Sequence, residues 1–275
     1  MKKIICICLL VIATLGAYLF VRNNQHIVMD VRYVLDTEIV DDNFFFVRAG
    51  SLYQYNDESG VKIISKEGIC NITSTDDYLL YSNETTIYRM NLNTEEIMPI
   101  YISENEENQI EGVYCADKIS VFRLDYSNYY ITEIAMDGTV KSEEILNEEE
   151  YKKRRNTNEI YDDISVIGNV TVIDGYYMGG MFVSDSKSFI FKGKSGDDKE
   201  YKIFAYIPET GEVRKLSDKG LNGYSSAKID TESGNFYIWD TKGREDINRY
   251  KVNYDENGYP VSLEYDRIIF KSDIK

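Results

Sequence analysis

The sequence predicts an all-β chain of about five four-stranded units, and three observations predict it. A turn motif returns along the body, an aromatic strand follows each return, and the composition suits sheets. Apolar residues make up 43% of the 275 residues and aromatics 13%, with 24 Tyr and only 3 Pro. β-branched and aromatic side chains fit a pleated, half-buried surface, whereas proline cannot donate to a central ladder. A chain this apolar buries a core rather than staying disordered.

The first element is a leader. Lys2 and Lys3 precede an apolar run from Ile4 to Val21, interrupted only by Thr14 and Gly16, and Arg22, Asn23, Asn24 and Gln25 follow it. Eighteen residues at about 1.5 Å rise nearly match the ~30 Å hydrocarbon thickness. The best small-residue cleavage site, before Ala17, would leave a greasy new terminus, so a retained anchor over residues 1–25 is expected ahead of a cleaved signal and a secreted body. The lysines place the N-terminus inside and the body outside a bacterial cell membrane, in a single pass. Cys6 and Cys8 lie too early in the run for a lipidation box.

Residues 26–275 follow as one domain. Its repeats open with Asp41-Asp42 before Phe44-Phe45-Phe46, Asp76-Asp77 before Tyr78 to Tyr81, Asp117 before Ile119 to Phe122, Asp174-Gly175 before Tyr176-Tyr177, and Ser233-Gly234 before Phe236 to Trp239. Closing turns at Ser59-Gly60, Thr94-Glu95, Asp137-Gly138, Thr210-Gly211 and Asn257-Gly258 lie 35, 43, 73 and 47 residues apart. A four-stranded propeller blade takes about 40 to 50 residues, so the pattern reads as a β-propeller of about five blades with one insertion. Closure of such a ring is expected to pair the stretch Ile27 to Val40 with the C-terminal strand, hiding sheet edges.

The insertion has a helix signature near residues 147–158. Asn147 is an N-cap, Glu148, Glu149 and Glu150 fill the first turn, and Lys152, Lys153 and Arg154 follow one turn later. That order suits the helix dipole and i,i+4 pairing on a solvated surface.

The segment Ile87-Tyr88-Arg89-Met90-Asn91-Leu92-Asn93-Thr94-Glu95-Glu96 and its weaker copy Phe204-Ala205-Tyr206-Ile207-Pro208-Glu209-Thr210-Gly211-Glu212 resemble the blade pattern of TolB-like and related exported bacterial propellers. The chain departs from that pattern in lacking Pro-Asp-Gly turns, and it has no WD or kelch signature. The resemblance implies an interaction role, since such families are mostly binding scaffolds.

The inventory excludes several chemistries. Net charge is -16, and since residues 1–25 hold three bases and no acid, the remainder carries -19. Nucleic acid, which needs a basic stripe, is not an expected partner. The single histidine, His26, abuts the leader, so a His-based triad or a His-rich metal site has no material. No phosphate loop, Gly-x-Ser-x-Gly or Cys-x-x-Cys occurs in the body. Neither a cofactor nor a resident metal is implied. The acidic turns Ser195-Gly196-Asp197-Asp198 and Asp255-Glu256-Asn257-Gly258 offer oxygen ligands, but Asp, Asn and Gly are also what tight hairpins select. Cys70 and Cys115 are either bridged or separately buried thiols.

Two functional readings remain. The first is a tethered, non-catalytic binding or scaffold propeller for an unidentified protein or cell-surface ligand. The second is a carbohydrate-active propeller using paired carboxylates, a chemistry that needs only one protonated and one ionised acid. Trp239 and Asp240 are the candidate ligand-binding residues, the only tryptophan being either a sugar platform or a packing residue between blades.

Overall fold

The computed structural model describes residues 34–103, 109–115, 118–125, 128–158, 172–173, 176–184, 187–194, 199–221, 225–240 and 246–271. The leader and His26 lie outside the described residues. Among those described, no helix is long and apolar enough to cross a membrane.

Among the described residues, twenty-one strands form five antiparallel sheets, each a meander in which consecutive strands pair. The first sheet holds β1 (Val34–Val40), β2 (Asn43–Arg48), β3 (Ser51–Asn56) and β4 (Gly60–Ser65). The second holds β5 (Asn71–Ser74), β6 (Tyr78–Ser82), β7 (Thr86–Asn91) and β8 (Ile97–Ile102). The third holds β9 (Gln109–Cys115), β10 (Ile119–Leu124), β11 (Tyr129–Ile134) and β12 (Val140–Leu146), and α1 (Glu148–Asn158) follows it. The fourth has five strands, β13 (Val172–Ile173), β14 (Tyr176–Ser184), β15 (Phe189–Lys194), β16 (Tyr201–Ile207) and β17 (Glu212–Leu221). The fifth holds β18 (Ser225–Asp230), β19 (Asn235–Asp240), β20 (Ile247–Tyr254) and β21 (Pro260–Phe270).

The second strand of each blade is the most buried. β2 and β15 share the pattern of four buried residues between half-buried ends, and Phe44, Phe45, Phe46 and Val47 are all fully buried. Such continuous apolar runs are what a strand covered on both faces requires. Alternate residues point into opposite seams. Phe45 and Val47 join Leu52, Leu79 and Tyr81 between the first and second sheets, whereas Phe44 and Phe46 join Tyr237, Trp239 and Ile247 between the first and fifth. Further clusters fill the seams between the second and third sheets and between the fourth and fifth.

The repeat is therefore real, but its phase differs from the sequence reading. The Asp-rich turns do not begin blades: Asp41-Asp42 and Ser233-Gly234 join first to second strands, and a short inner strand precedes each. The fourth blade's equivalent second strand is β15, not the strand after Asp174-Gly175, because an extra strand, β13, has been added inside β14. Of the stretch expected to close the ring, residues 27–33 lie outside the described residues; within those described, β1 pairs with β2 and β21 with β20, and the first and last blades share no sheet. They meet through side chains instead, with the Phe44 and Tyr237 rings stacked at 4.2 Å and 4°.

A second device recurs at the seams. A cation on an outer strand of one blade reaches the turn between third and fourth strands of the next. Lys62 meets Glu95, Arg89 Nη1 donates to Met136 O at 2.8 Å, Arg214 Nη1 to Asp255 Oδ2 at 2.7 Å, and Arg249 Nη1 to Asp57 Oδ1 at 2.8 Å.

Candidate functional site

The sequence candidates come first. Trp239 stands on β19 at 6% exposure, packed among Phe44, Phe46, Tyr237 and Ile247. Its ring is part of the seam, and its Nε1 has no hydrogen-bond partner. Asp240 ends the same strand opposite Ser225. The structure does not bring Trp239 to a surface. The Asp255 turn is held by its own hydrogen bonds, Asp255 Oδ1 accepting from the backbone of Asn257 and Tyr259, while Arg214 occupies Oδ2. The Ser195 to Asp198 turn lies outside the described residues. Among those described, no cluster of His, Cys, Asp or Glu has metal-site geometry. Cys70 and Cys115 are not bridged to each other and are both half-buried, and burial pushes the Cys70 thiol up to about 11.

Two polar constellations that the sequence reading did not name are positioned by the fold. One lies on the inner strands. Asp36 and Glu38 are two apart on β1 and so share a face of that strand. Asp36 Oδ1 accepts from Thr37 N at 2.8 Å, and Oδ2 accepts from Ile72 N on β5 at 2.9 Å, so one carboxylate ties two inner strands together. Burial raises Asp36 to about 6, against the opposing pull of those backbone donors and of Lys228. Glu38 accepts from Ser74 Oγ at 2.7 Å and from Lys228 Nζ at 2.8 Å, and Lys228 also donates to Thr37 O. The belt thus spans the fifth, first and second blades. A raised acid beside a second carboxylate has the makings of a glycosidase pair. Here, however, both Asp36 oxygens are engaged by backbone N–H groups and Glu38 is engaged across two seams, so the pair joins strands.

The other constellation lies at the outer end of the seam between the last and first blades. A groove of about 390 Å³ is lined by Asp57, Arg249, Lys251, Glu264, Tyr265, Asp266 and Arg267. Its floor is Arg249, whose side chain is 3% exposed and is paired with Asp57 and Asp266. A bulge puts Asp266 as the extra residue between Tyr265, opposite Tyr250, and Arg267, opposite Arg249, which turns its carboxylate onto the guanidinium. Tyr55 donates to Asp57 Oδ1 at 2.6 Å and lies under Arg249 at 5.8 Å. Burial works to raise both Asp57 and Asp266, and the hydrogen bonds to them prevail, holding each below the usual aspartate value. No sequence alternation flags this latch: on β20 Ile247, Arg249 and Tyr250 are buried and Lys251 is exposed, because bulges break the period around the arginine.

No family model matches the chain, and no curated protein does. Among solved structures it is similar to the Pan2 WD40 domain of Neurospora crassa, at 8% identity over 85% of this chain and 65% of that one, with TM-score 0.33. Hsv2p of Kluyveromyces lactis matches at 13% identity, covering 86% and 73% of the two chains, TM-score 0.34. The extracellular domain of the one component system BT4673 from B. thetaiotaomicron matches at 11% identity, 86% and 32% coverage and TM-score 0.32. At that distance the likenesses carry no argument, and the architecture rests on the five sheets themselves.

Proposed function

We propose that the chain is a membrane-tethered, extracytoplasmic binding scaffold whose working surface is the rim of the propeller. One observation carries the reading. Every exposed large apolar side chain among the described residues, such as Ile63 on β4, Ile102 on β8, Ile145 on β12 and Tyr265 on β21, lies on the third or fourth strand of a blade. Burial claims the inner strands and leaves apolar contact area at the perimeter of a strongly acidic body, which suits a partner that is both apolar and cationic. Tyrosines add contact area at low cost in side-chain freedom. The tether is supported by the leader's length and its flanking charges.

Two measurements test the reading. The full chain should sediment with membranes, resist carbonate extraction and keep Met1 or Lys2 by mass spectrometry; a mature terminus near Ala17 would remove the tether. Association with a partner should slow as salt rises from about 20 to about 300 mM, because screening shortens the reach of the acidic field. Salt-independent association, or cleavage of a panel glycan that stops when Asp36 or Glu38 is neutralised, would replace the scaffold with the carbohydrate-active alternative.

A further inference from the structure

Each sheet ends in a strand whose outer edge pairs with nothing among the described residues. An open edge is a template for an added strand, and folded proteins blunt such edges with proline, charge, bulges or a covering element. The five edges of this chain are unequally blunted. On β8, Pro99 removes a donor in the middle of the strand. On β12, Lys141, Glu143 and Glu144 bring charge, and Arg154 of α1 pairs with Glu144 beside the strand. On β17, two bulges accompany Lys215, Asp218 and Lys219. On β21, three bulges break the register.

β4 differs in its middle. It carries one bulge, at Ile64, but its pairing with β3 is regular from Gly60 to Ile63, with Asn56, Tyr55, Gln54 and Tyr53 as successive partners. Its single charge, Lys62, is already neutralised by Glu95 of the next blade. Val61 and Ile63, two apart and so on one face, are 38% and 47% exposed, backed by Tyr55 and Tyr53 on the neighbouring strand. Lys62 alternates with this pair and so marks the other face of the edge, where the exposed Glu95 and Glu96 of the next blade stand beside it; at the turn, Asp57 is engaged by Arg249 and Glu58 is exposed.

We infer that the edge of β4 is the docking strand of the scaffold, accepting an extended segment of a partner protein as a fifth strand of the first blade. The inference rests on the scaffold reading and names its partner's chemistry: β-branched or aromatic residues at alternate positions over Val61 and Ile63, with basic residues beside the acidic turns. Backbone hydrogen bonds to the edge hold the segment, and the apolar pair with its acidic surround sets its sequence.

The test pans a display library of random twelve-residue peptides against the full chain in detergent, then resynthesises the selected peptides. Peptides of alternating apolar and basic character are expected, with binding weakened at least about tenfold by Val61→Lys or Ile63→Lys. Both side chains are exposed, so unchanged thermal melting of the variants separates lost docking from lost folding. A selected peptide N-methylated at alternate residues should also fail to bind on the face that would donate to β4, because the added strand loses its donors. Binders that are indifferent to both substitutions and to N-methylation overturn the β4 site, and if their binding still weakens with salt the scaffold reading survives. A library that yields no binder tighter than ~100 µM overturns both.

Discussion

Asp36 and the carboxylates that latch Arg249 show how much single residues carry here, and they respond to pH with opposite signs. Asp36 stands at about 6 in the folded chain against 3.8 for the free group. The fold therefore binds its proton more tightly than the unfolded chain does. Its contribution is most favourable below pH ~4 and is lost as pH rises through 6, a swing of about 3 kcal/mol. Asn at this position keeps one acceptor and turns an N–H toward a backbone donor, so Asp36→Asn should cost about 1 kcal/mol in acid. Relative to the parent it should then gain up to about 3 kcal/mol between pH 4 and 7, as read by denaturant titrations at each pH; a constant difference would show that Asp36 does not titrate there. The latch runs the other way. Asp57 and Asp266 are held low, so the stability they lend is full above pH ~4 and fades as pH falls below it. Asp266→Ala leaves the buried guanidinium with a single carboxylate and should cost about 2 kcal/mol, measured by denaturant at pH 7. Neither role was visible in the sequence. Asp36 is one of 47 acids, and only the approach of Ile72 N, 36 residues on, distinguishes it.

At the scale of the element, the strand most legible in the sequence was the second of each blade. It is covered on both faces and so writes itself as an uninterrupted apolar run, as in Phe44-Phe45-Phe46-Val47. The first strands were not legible, because β5, with Asn71, Thr73 and Ser74 in four residues, faces a polar interior belt and has no apolar pattern to read. That is why the repeat was found one strand out of phase. Helix α1 was legible from its ends: Asn147 Oδ1 accepts from Glu150 N at 2.9 Å, the cap the sequence implied. What the sequence did not reveal is its anchor, Tyr151, 2% exposed and packed on Phe122 and Tyr129 of the third sheet, with its hydroxyl on Glu111. Turns also carry seam contacts. Gly138 has φ +87 in the β11–β12 turn, and a Cβ there would sit 1.7 Å from Ile100 O of the second blade. Gly138→Ala should therefore cost more than about 2 kcal/mol, both from the left-handed backbone and from prying the two blades apart. A thermal melt within 2 °C of the parent would contradict that contact.

For the whole molecule, closure by packing instead of strand exchange changes what the C-terminus does. Among the described residues, removing the chain from residue 261 onward takes no strand from the first blade. It strips β20 of its partner and Arg249 of Asp266, and leaves β20 as a bare edge. The truncated chain should aggregate or lose its cooperative melt; a soluble form melting near the parent temperature would show that the last blade is dispensable. The charge and the single histidine direct attention to the carboxylates, which in the described belt hold strands together. Because every blade is a local meander, each can complete its own backbone ladder as soon as its four or five strands have been synthesised and released. The exceptions are the contacts of the last seam, where Lys228 meets Glu38 across 190 residues and Arg249 meets Asp57 across 192. A chain threaded N-terminus first must therefore wait until synthesis is nearly finished before its first blade finds a neighbour on that side. Until then the face bearing Phe44 and Phe46 is wet, which makes the nascent protein most vulnerable to proteases and most in need of a holding chaperone just before its last blade is made.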